Sequence, residues 1–234
     1  MSEPSLLRRP ALRWALAVVI VVVAATVALW PREGSETTGP VSQTSQQQSG
    51  VSAQERATAG LAPCPGSAAP GSGPGATDSG PIATGSRTPA PGSGPLAGLA
   101  LTCLADGKPV NLAAALAGKP ALLNLWAYWC GPCAVELPHL QEFAQRAGSA
   151  LTVMTVHSDP DEAKALSRLG GLGITLPGVE DPKAAVRGAV GAPAVLPVSV
   201  LVRADGTIAS VEVRTFADVA DIADTVAAKL GVTV

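Results

Sequence analysis

Residues 121–126, ALLNLW, restrict the fold of this chain more than any other stretch. Only Asn124 interrupts the apolar run. A strand of that composition needs cover on both faces, as it has inside a parallel or mixed sheet. Just beyond it stands Cys130-Gly131-Pro132-Cys133, and from Cys130 the pattern changes to a helical one. Leu137, Leu140, Phe143, Ala144 and Ala147 recur at steps of three and four until Gly148 stops them. A buried strand must therefore feed into a helix with two cysteines at the junction.

The elements after that junction follow the same logic. LTVMTV (151–156) reads as a second strand. Asp159-Pro160 reads as a cap and first-turn proline for EAKALSRL, and Asp181-Pro182 repeats the device before KAAVRGAV. VSVLV (198–202) and TIASVEV (207–213) flank Ala204-Asp205-Gly206, which predicts a hairpin with a D-G turn. A last helix from near Thr215 places Phe216, Val219, Ile222, Val226 and Leu230 on one face. Ahead of the first strand, LALTCL and PVNL flank ADGK, an extra N-terminal hairpin. The expectation is an α/β domain over residues 96–234, long enough for one compact core.

The remainder of the chain is of other materials. Arg8, Arg9 and Arg13 precede an uncharged run between Trp14 and Trp30. As a helix that run spans roughly 25 Å, enough for a bilayer core, with tryptophans suited to both interfaces. The expected arrangement is a cytoplasmic segment at 1–13, a single transmembrane helix at 14–30, and everything later outside the cell membrane. A cleaved signal peptide is the alternative, but no clean small-x-small site closes the run. Residues 31–95 contain stretches such as PGSAAPGSGPGATDSGP, rich in Gly, Pro, Ser, Ala and Thr. Such a segment buries too little apolar surface to offset its ordering entropy, so a disordered linker is expected. With 16 basic and 18 acidic residues, the charge balance gives no case for nucleic-acid binding.

The two cysteines at the junction carry the chemistry. A thiolate, not a thiol, is the nucleophile in disulfide exchange. Cys130 stands at a helix start, where unpaired N–H groups and the helix dipole favour negative charge. Cys133 lies one turn deeper on the same side, placed to attack the Cys130 sulfur once that sulfur is bonded to a substrate. Gly131 and Pro132 form the tight turn between them, and Pro132 removes a donor that the first turn would leave unpaired. Trp129 supplies an apolar rim. Zinc would need two further ligands, and Cys64, Cys103 and two histidines are scattered. The reading is therefore no metal and no cofactor.

These residues identify a resemblance. Trp129-Cys130-Gly131-Pro132-Cys133 is the active-site sequence of thioredoxins, and the order of elements is that of the thioredoxin-like fold. Glu136 and the phrase NLWAYWC resemble the membrane-anchored TlpA/ResA-like branch. The resemblance implies that Pro138 lies within the helix and that Pro197 is a cis-proline facing the dithiol, with Pro193 on the same loop as the competing candidate. It also implies that Glu136 assists proton movement near the dithiol, the alternative being an ordinary first-turn glutamate that supports the helix dipole. Asn124 departs from the buried acid of cytosolic thioredoxins. The resemblance further implies a thiol–disulfide oxidoreductase acting on cysteines of exported proteins, leaning to reductase because of the Gly-Pro dipeptide. A membrane thiol-transfer protein would donate electrons, and c-type cytochrome maturation is a common setting. The alternatives are a disulfide-forming oxidase on the same fold, or a redox-inert tethered binding or structural domain.

Cys64 and Cys103 remain. On an oxidising side, two leftover cysteines most simply pair with each other, here as a structural disulfide tying the linker to the extra hairpin. A catalytic relay through Cys103 is the other reading. His157 ends a strand on the active-site edge, where most histidines are solvated. His139 is expected on the helix surface.

Overall fold

The computed structural model describes residues 50–66 and 94–234. The expected cytoplasmic segment at 1–13 and transmembrane helix at 14–30 lie outside the described residues, as do 31–49 and 67–93 of the linker. Among the described residues, no helix is long and apolar enough to cross a membrane.

A mixed sheet organises the domain. Its strands are β1 (Ala100–Cys103), β2 (Pro109–Asn111), β3 (Ala121–Trp126), β4 (Thr152–His157), β5 (Gly178–Glu180), β6 (Val198–Val202) and β7 (Ile208–Glu212), in the order β2-β1-β5-β4-β3-β6-β7. Strand β3 runs parallel to β4 and antiparallel to β6, and all six of its residues are buried. Helix α1 (Ala53–Ala59) precedes the sheet, and α2 (Leu112–Leu116) follows β2. Helix α3 (Gly131–Ala147) follows β3, α4 (Glu162–Gly171) follows β4, α5 (Ala185–Ala189) follows β5, and α6 (Val219–Leu230) ends the domain.

The two-residue period of the strands splits the core into two layers. Leu122, Trp126, Val153 and Leu201 face α3 and α6, where they meet Leu137, Leu140, Phe143, Phe216, Ile222 and Val226. Leu123, Leu125, Met154, Val156, Val198 and Val200 point the other way, onto Leu96, Leu101, Val110, Leu112 and Leu116.

Several boundaries differ from the sequence expectation. Strand β5 has only three residues, too short to display alternation, yet it joins β4 to the β1–β2 hairpin. Gly178 is required there: a Cβ would sit 2.5 Å from the Thr155 hydroxyl oxygen. Asp161 caps α4, not Asp159; its carboxylate accepts the Lys164 N–H at 3.2 Å. Helix α6 begins at Val219, capped by Asp218, and Phe216 enters the core from the preceding loop.

The larger correction concerns the linker expected over 31–95. Residues 50–66 are folded against the domain. Ser52 and Glu55 make a reciprocal capping box, with Ser52 N–H donating to Glu55 at 2.7 Å and Glu55 N–H to Ser52 Oγ at 3.2 Å. A seven-residue helix is unstable by itself, so α1 depends on tertiary contacts. Arg56 is buried and donates to both oxygens of the Glu162 carboxylate, at 2.6 and 3.0 Å, and to the Leu104 carbonyl at 3.0 Å. Leu61 packs into the core, and a disulfide joins Cys64 to Cys103. These anchors supply locally what the average composition of the segment lacks.

Candidate active site

The dithiol sits where β3 delivers the chain to α3. The Ala127-Tyr128-Trp129 loop turns back on itself through a 3.0 Å bond from the Cys130 N–H to the Ala127 carbonyl. Cys130 is the N-cap of α3: its backbone is extended, and its carbonyl accepts the Ala134 N–H at 3.2 Å. Its Sγ accepts the Cys133 N–H, also at 3.2 Å. Cys130 and Cys133 form a disulfide with their Cα atoms 5.3 Å apart. Both cysteines are buried, while Gly131 and Pro132 are exposed and Trp129 is 60% exposed. A sulfur that already takes the place of a capping oxygen is held where negative charge is stabilised, because the N–H that bonds it strengthens as it ionises.

Trp129 does more than form a rim. Its indole N–H donates to the Asp159 carboxylate at 3.0 Å, and the other oxygen of that carboxylate accepts the Asp161 N–H at 2.9 Å. The Leu196–Pro197 peptide bond is cis, and Pro197 is buried immediately before β6. Pro138 lies inside α3, and His139 is partly exposed on that helix.

Glu136 is fully buried, which excludes an ordinary first-turn glutamate facing solvent. Asn124 lies on the α3 face of β3, and its Nδ2 donates to Glu136 Oε2 at 2.9 Å. The Phe216 N–H donates to Oε1 at 2.9 Å. Burial pushes the Glu136 carboxyl above the ordinary glutamate value; the Phe216 and Asn124 bonds and the Arg214 charge oppose the rise. Asn124 Oδ1 is buried with no hydrogen-bond partner among the described residues. An amide that donates to an ionised carboxyl can, after rotation, accept from a protonated one. Asn124 is thus suited to either state of Glu136. Unable to titrate itself, it supports an acid carried by the facing helix.

His157 corrects the expectation of a solvated histidine, since it is completely buried. Its Nδ1 lies 2.9 Å from Glu180 Oε2, and its Nε2 accepts the Tyr128 N–H at 3.4 Å. Burial raises the Glu180 carboxyl, and its bond with His157 opposes this. Sequence reasoning missed Glu180 because a three-residue strand offers no period. Sheet register alone, His157 beside Trp126 and Glu180 beside His157, places this side chain level with the loop.

The sheet order, the strand-to-helix Cys-Gly-Pro-Cys disulfide and the cis-proline before β6 define a thioredoxin-like protein. The Redoxin pattern matches residues 80–227, and the chain belongs to the Redoxin family. Thioredoxin from Mycolicibacterium smegmatis is 44% identical over 50 residues, which cover 21% of this chain and 45% of that protein. Thiol:disulfide interchange protein DsbE of Pseudomonas fluorescens is 41% identical over 54 residues, covering 23% and 29%. The matched stretches thus span less than half the length of these curated relatives. A solved structure of a secreted Mycobacterium tuberculosis disulfide oxidoreductase, homologous to E. coli DsbE, aligns at 26% identity. That alignment covers 58% of this chain and 96% of the other, with a TM-score of 0.48.

Proposed function

We propose that this protein is a membrane-tethered thiol–disulfide oxidoreductase working outside the cytoplasm as a reductase of exported proteins. The observation that carries the reading is the Cys130 sulfur, which caps α3 and is bonded to Cys133. In the reduced enzyme, the Cys130 thiolate attacks one sulfur of a substrate disulfide. A Cys130–substrate mixed disulfide forms, and the second substrate sulfur leaves as a thiolate. Cys133 then loses its proton and attacks Cys130. The enzyme disulfide closes, the first substrate sulfur leaves, and two electrons have passed to the substrate. A dithiol donor reverses these steps to restore the enzyme. Glu136, buried three residues after Cys133, is the group we assign to take the Cys133 proton.

Tethering rests on the apolar run at 14–30, and the extracytoplasmic side rests on the arginines before it. The Cys64–Cys103 disulfide supports an oxidising compartment. A reductase there draws electrons from the cytoplasm, for which a membrane thiol-transfer protein is the fitting donor. Maturation of c-type cytochromes is a fitting setting. The name of the Pseudomonas relative, a thiol:disulfide interchange protein, supports the same reaction class.

The test is Cys133→Ala in the native host. Cys130 should accumulate in mixed disulfides with exported proteins, absent from the Cys130→Ala/Cys133→Ala control. A trap that captures nothing above the control overturns the enzyme reading. A reduction potential of about −270 mV supports the reductase, and one of about −120 mV makes the protein an oxidase.

A further inference from the structure

One register row of the sheet lies at the edge where the dithiol sits: Trp126 on β3, His157 on β4 and Glu180 on β5. The row is buried throughout, yet it contains an imidazole and a carboxylate. Buried ionisable groups are costly unless they are paired or perform a task. Glu180 has its Oε2 on His157, and its other oxygen is buried with no hydrogen-bond partner among the described residues. His157 spends its second nitrogen on a main-chain amide two residues before Cys130.

We propose that Glu180 and His157 position the dithiol: Glu180 holds the proton on His157 Nδ1, which leaves Nε2 free to accept the Tyr128 N–H and fix the loop that presents Cys130. The inference rests on the oxidoreductase reading and adds the groups that hold the loop presenting Cys130. The tautomer follows from the two partners. A carboxylate can only accept, so Nδ1 carries hydrogen, and an amide N–H can only donate, so Nε2 does not. The ring is clamped laterally by Trp126, at 5.0 Å between ring centroids, and by Tyr128, at 6.1 Å. Two further contacts hold the same dipeptide from the segment after β4: Asp159 takes the Trp129 indole, and Lys164 lies over the Tyr128 ring. Of the three grips on Tyr128 and Trp129, the imidazole alone is wholly buried and reaches the backbone directly.

Protonation of Nε2 would set one N–H against another. The Tyr128 amide would lose its acceptor, and the loop would shift with Cys130 on it. Glu180 faces the ring from β5 and Asp161 acts on it from the loop after β4, while Asp159 acts on Glu180. Glu162, acting on Glu180 from α4, is tied to Arg56 of α1, and Lys164 is tied to Asp161. Asp181, next to Glu180, is committed to the Ala185 and Val186 amides. The surroundings are therefore acidic, with both nearby cations already paired.

The test compares His157→Leu, His157→Gln and Glu180→Gln in the full chain. The readouts are the alkylation rate of reduced Cys130 between about pH 5 and 9, located by mass spectrometry, and kcat/KM for disulfide reduction. Loss of one acceptor should slow Cys130 alkylation in the leucine variant about fivefold at neutral pH. Glutamine at 157 offers an amide oxygen to the Tyr128 N–H and should restore the neutral-pH rate lost in the leucine variant. Glu180→Gln keeps an acceptor for Nδ1 but can also present an N–H to it, so its rate should fall between those of the leucine variant and the wild type. If His157→Leu fails to fold, the two glutamine variants decide the matter. Folded His157→Leu or Glu180→Gln at the wild-type rate overturns the positioning role while the wild type stays active. A wild type that neither alkylates quickly nor reduces disulfides overturns the oxidoreductase reading and this inference with it.

Discussion

The two disulfides of this molecule have the same chemistry in opposite settings. Cys130–Cys133 spans a sequence separation of 3 and lies on a helix start, with exposed residues between the sulfurs and Trp129 beside them. Cys64–Cys103 spans a separation of 39 and lies in the core layer below the β1–β2 hairpin, joining α1 and its tail to the sheet. By loop-closure entropy the long bridge stabilises the fold by about 4 kcal/mol and the short one by about half as much. The long bridge therefore has the larger structural effect. The short bridge has the sulfur that accepts a helix N–H, and this makes the reduced form reactive. What separates a redox disulfide from a staple is the backbone around the sulfur.

Four changes would break or sharpen that contrast. Cys130→Ala should abolish reduction of insulin disulfides, a loss of at least a thousandfold, on the order expected for removal of a covalent nucleophile. Paired replacement Cys64→Ala/Cys103→Ala should lower stability by about 4 kcal/mol, read by urea unfolding. At a temperature where it stays folded, this variant should retain insulin reduction within about twofold. Equal loss of activity in both variants would place Cys103 in a relay and erase the distinction.

Arg56→Ala tests the staple from its other end. It leaves Glu162 buried without its cation, a loss of about 3 kcal/mol in the same unfolding measurement. The oxidised variant should also show faster proteolysis around residues 50–62, because only Leu61, the Ala62 N–H bond to the Thr175 carbonyl and the disulfide then anchor the segment.

Glu136→Gln gives the smallest change in stability and bears on the short bridge. The Gln oxygen still accepts the Phe216 N–H, and Asn124 can turn its Oδ1 toward the new amide. The wild-type carboxyl is raised in the folded state, so the fold binds that proton more tightly than the unfolded chain does. Its contribution is present in full below the ordinary glutamate value and is lost as pH rises through the raised one. The variant should therefore be more stable than the wild type by about 1 kcal/mol at pH 8, equal to it at pH 4, and slower in closing the Cys130–Cys133 bond.

Much of this was legible in the chain. ALLNLW has the composition of a strand covered on both faces, and it lies inside the sheet between β4 and β6. Cys130 at the head of a helical period is the N-cap that the pattern implies. Even α1 left a trace: Ser52-Ala53-Gln54-Glu55 is a capping box within a segment whose average composition reads as disordered. The window of the average was wrong there, because a short helix is specified by four residues and a few anchors.

The sequence by itself determined the dithiol, the strand before it and the helix after it. Those features depend on neighbours along the chain, on period and on capping. Only the tertiary structure decided that Cys64 pairs with Cys103, that Asn124 meets Glu136, that Arg56 meets Glu162, and that His157 rests between Glu180 and the amide of Tyr128. Each of these pairs joins separate elements brought together by sheet register and helix docking. A buried polar group declares its partner only once packing has excluded water and left a single acceptor or donor within reach.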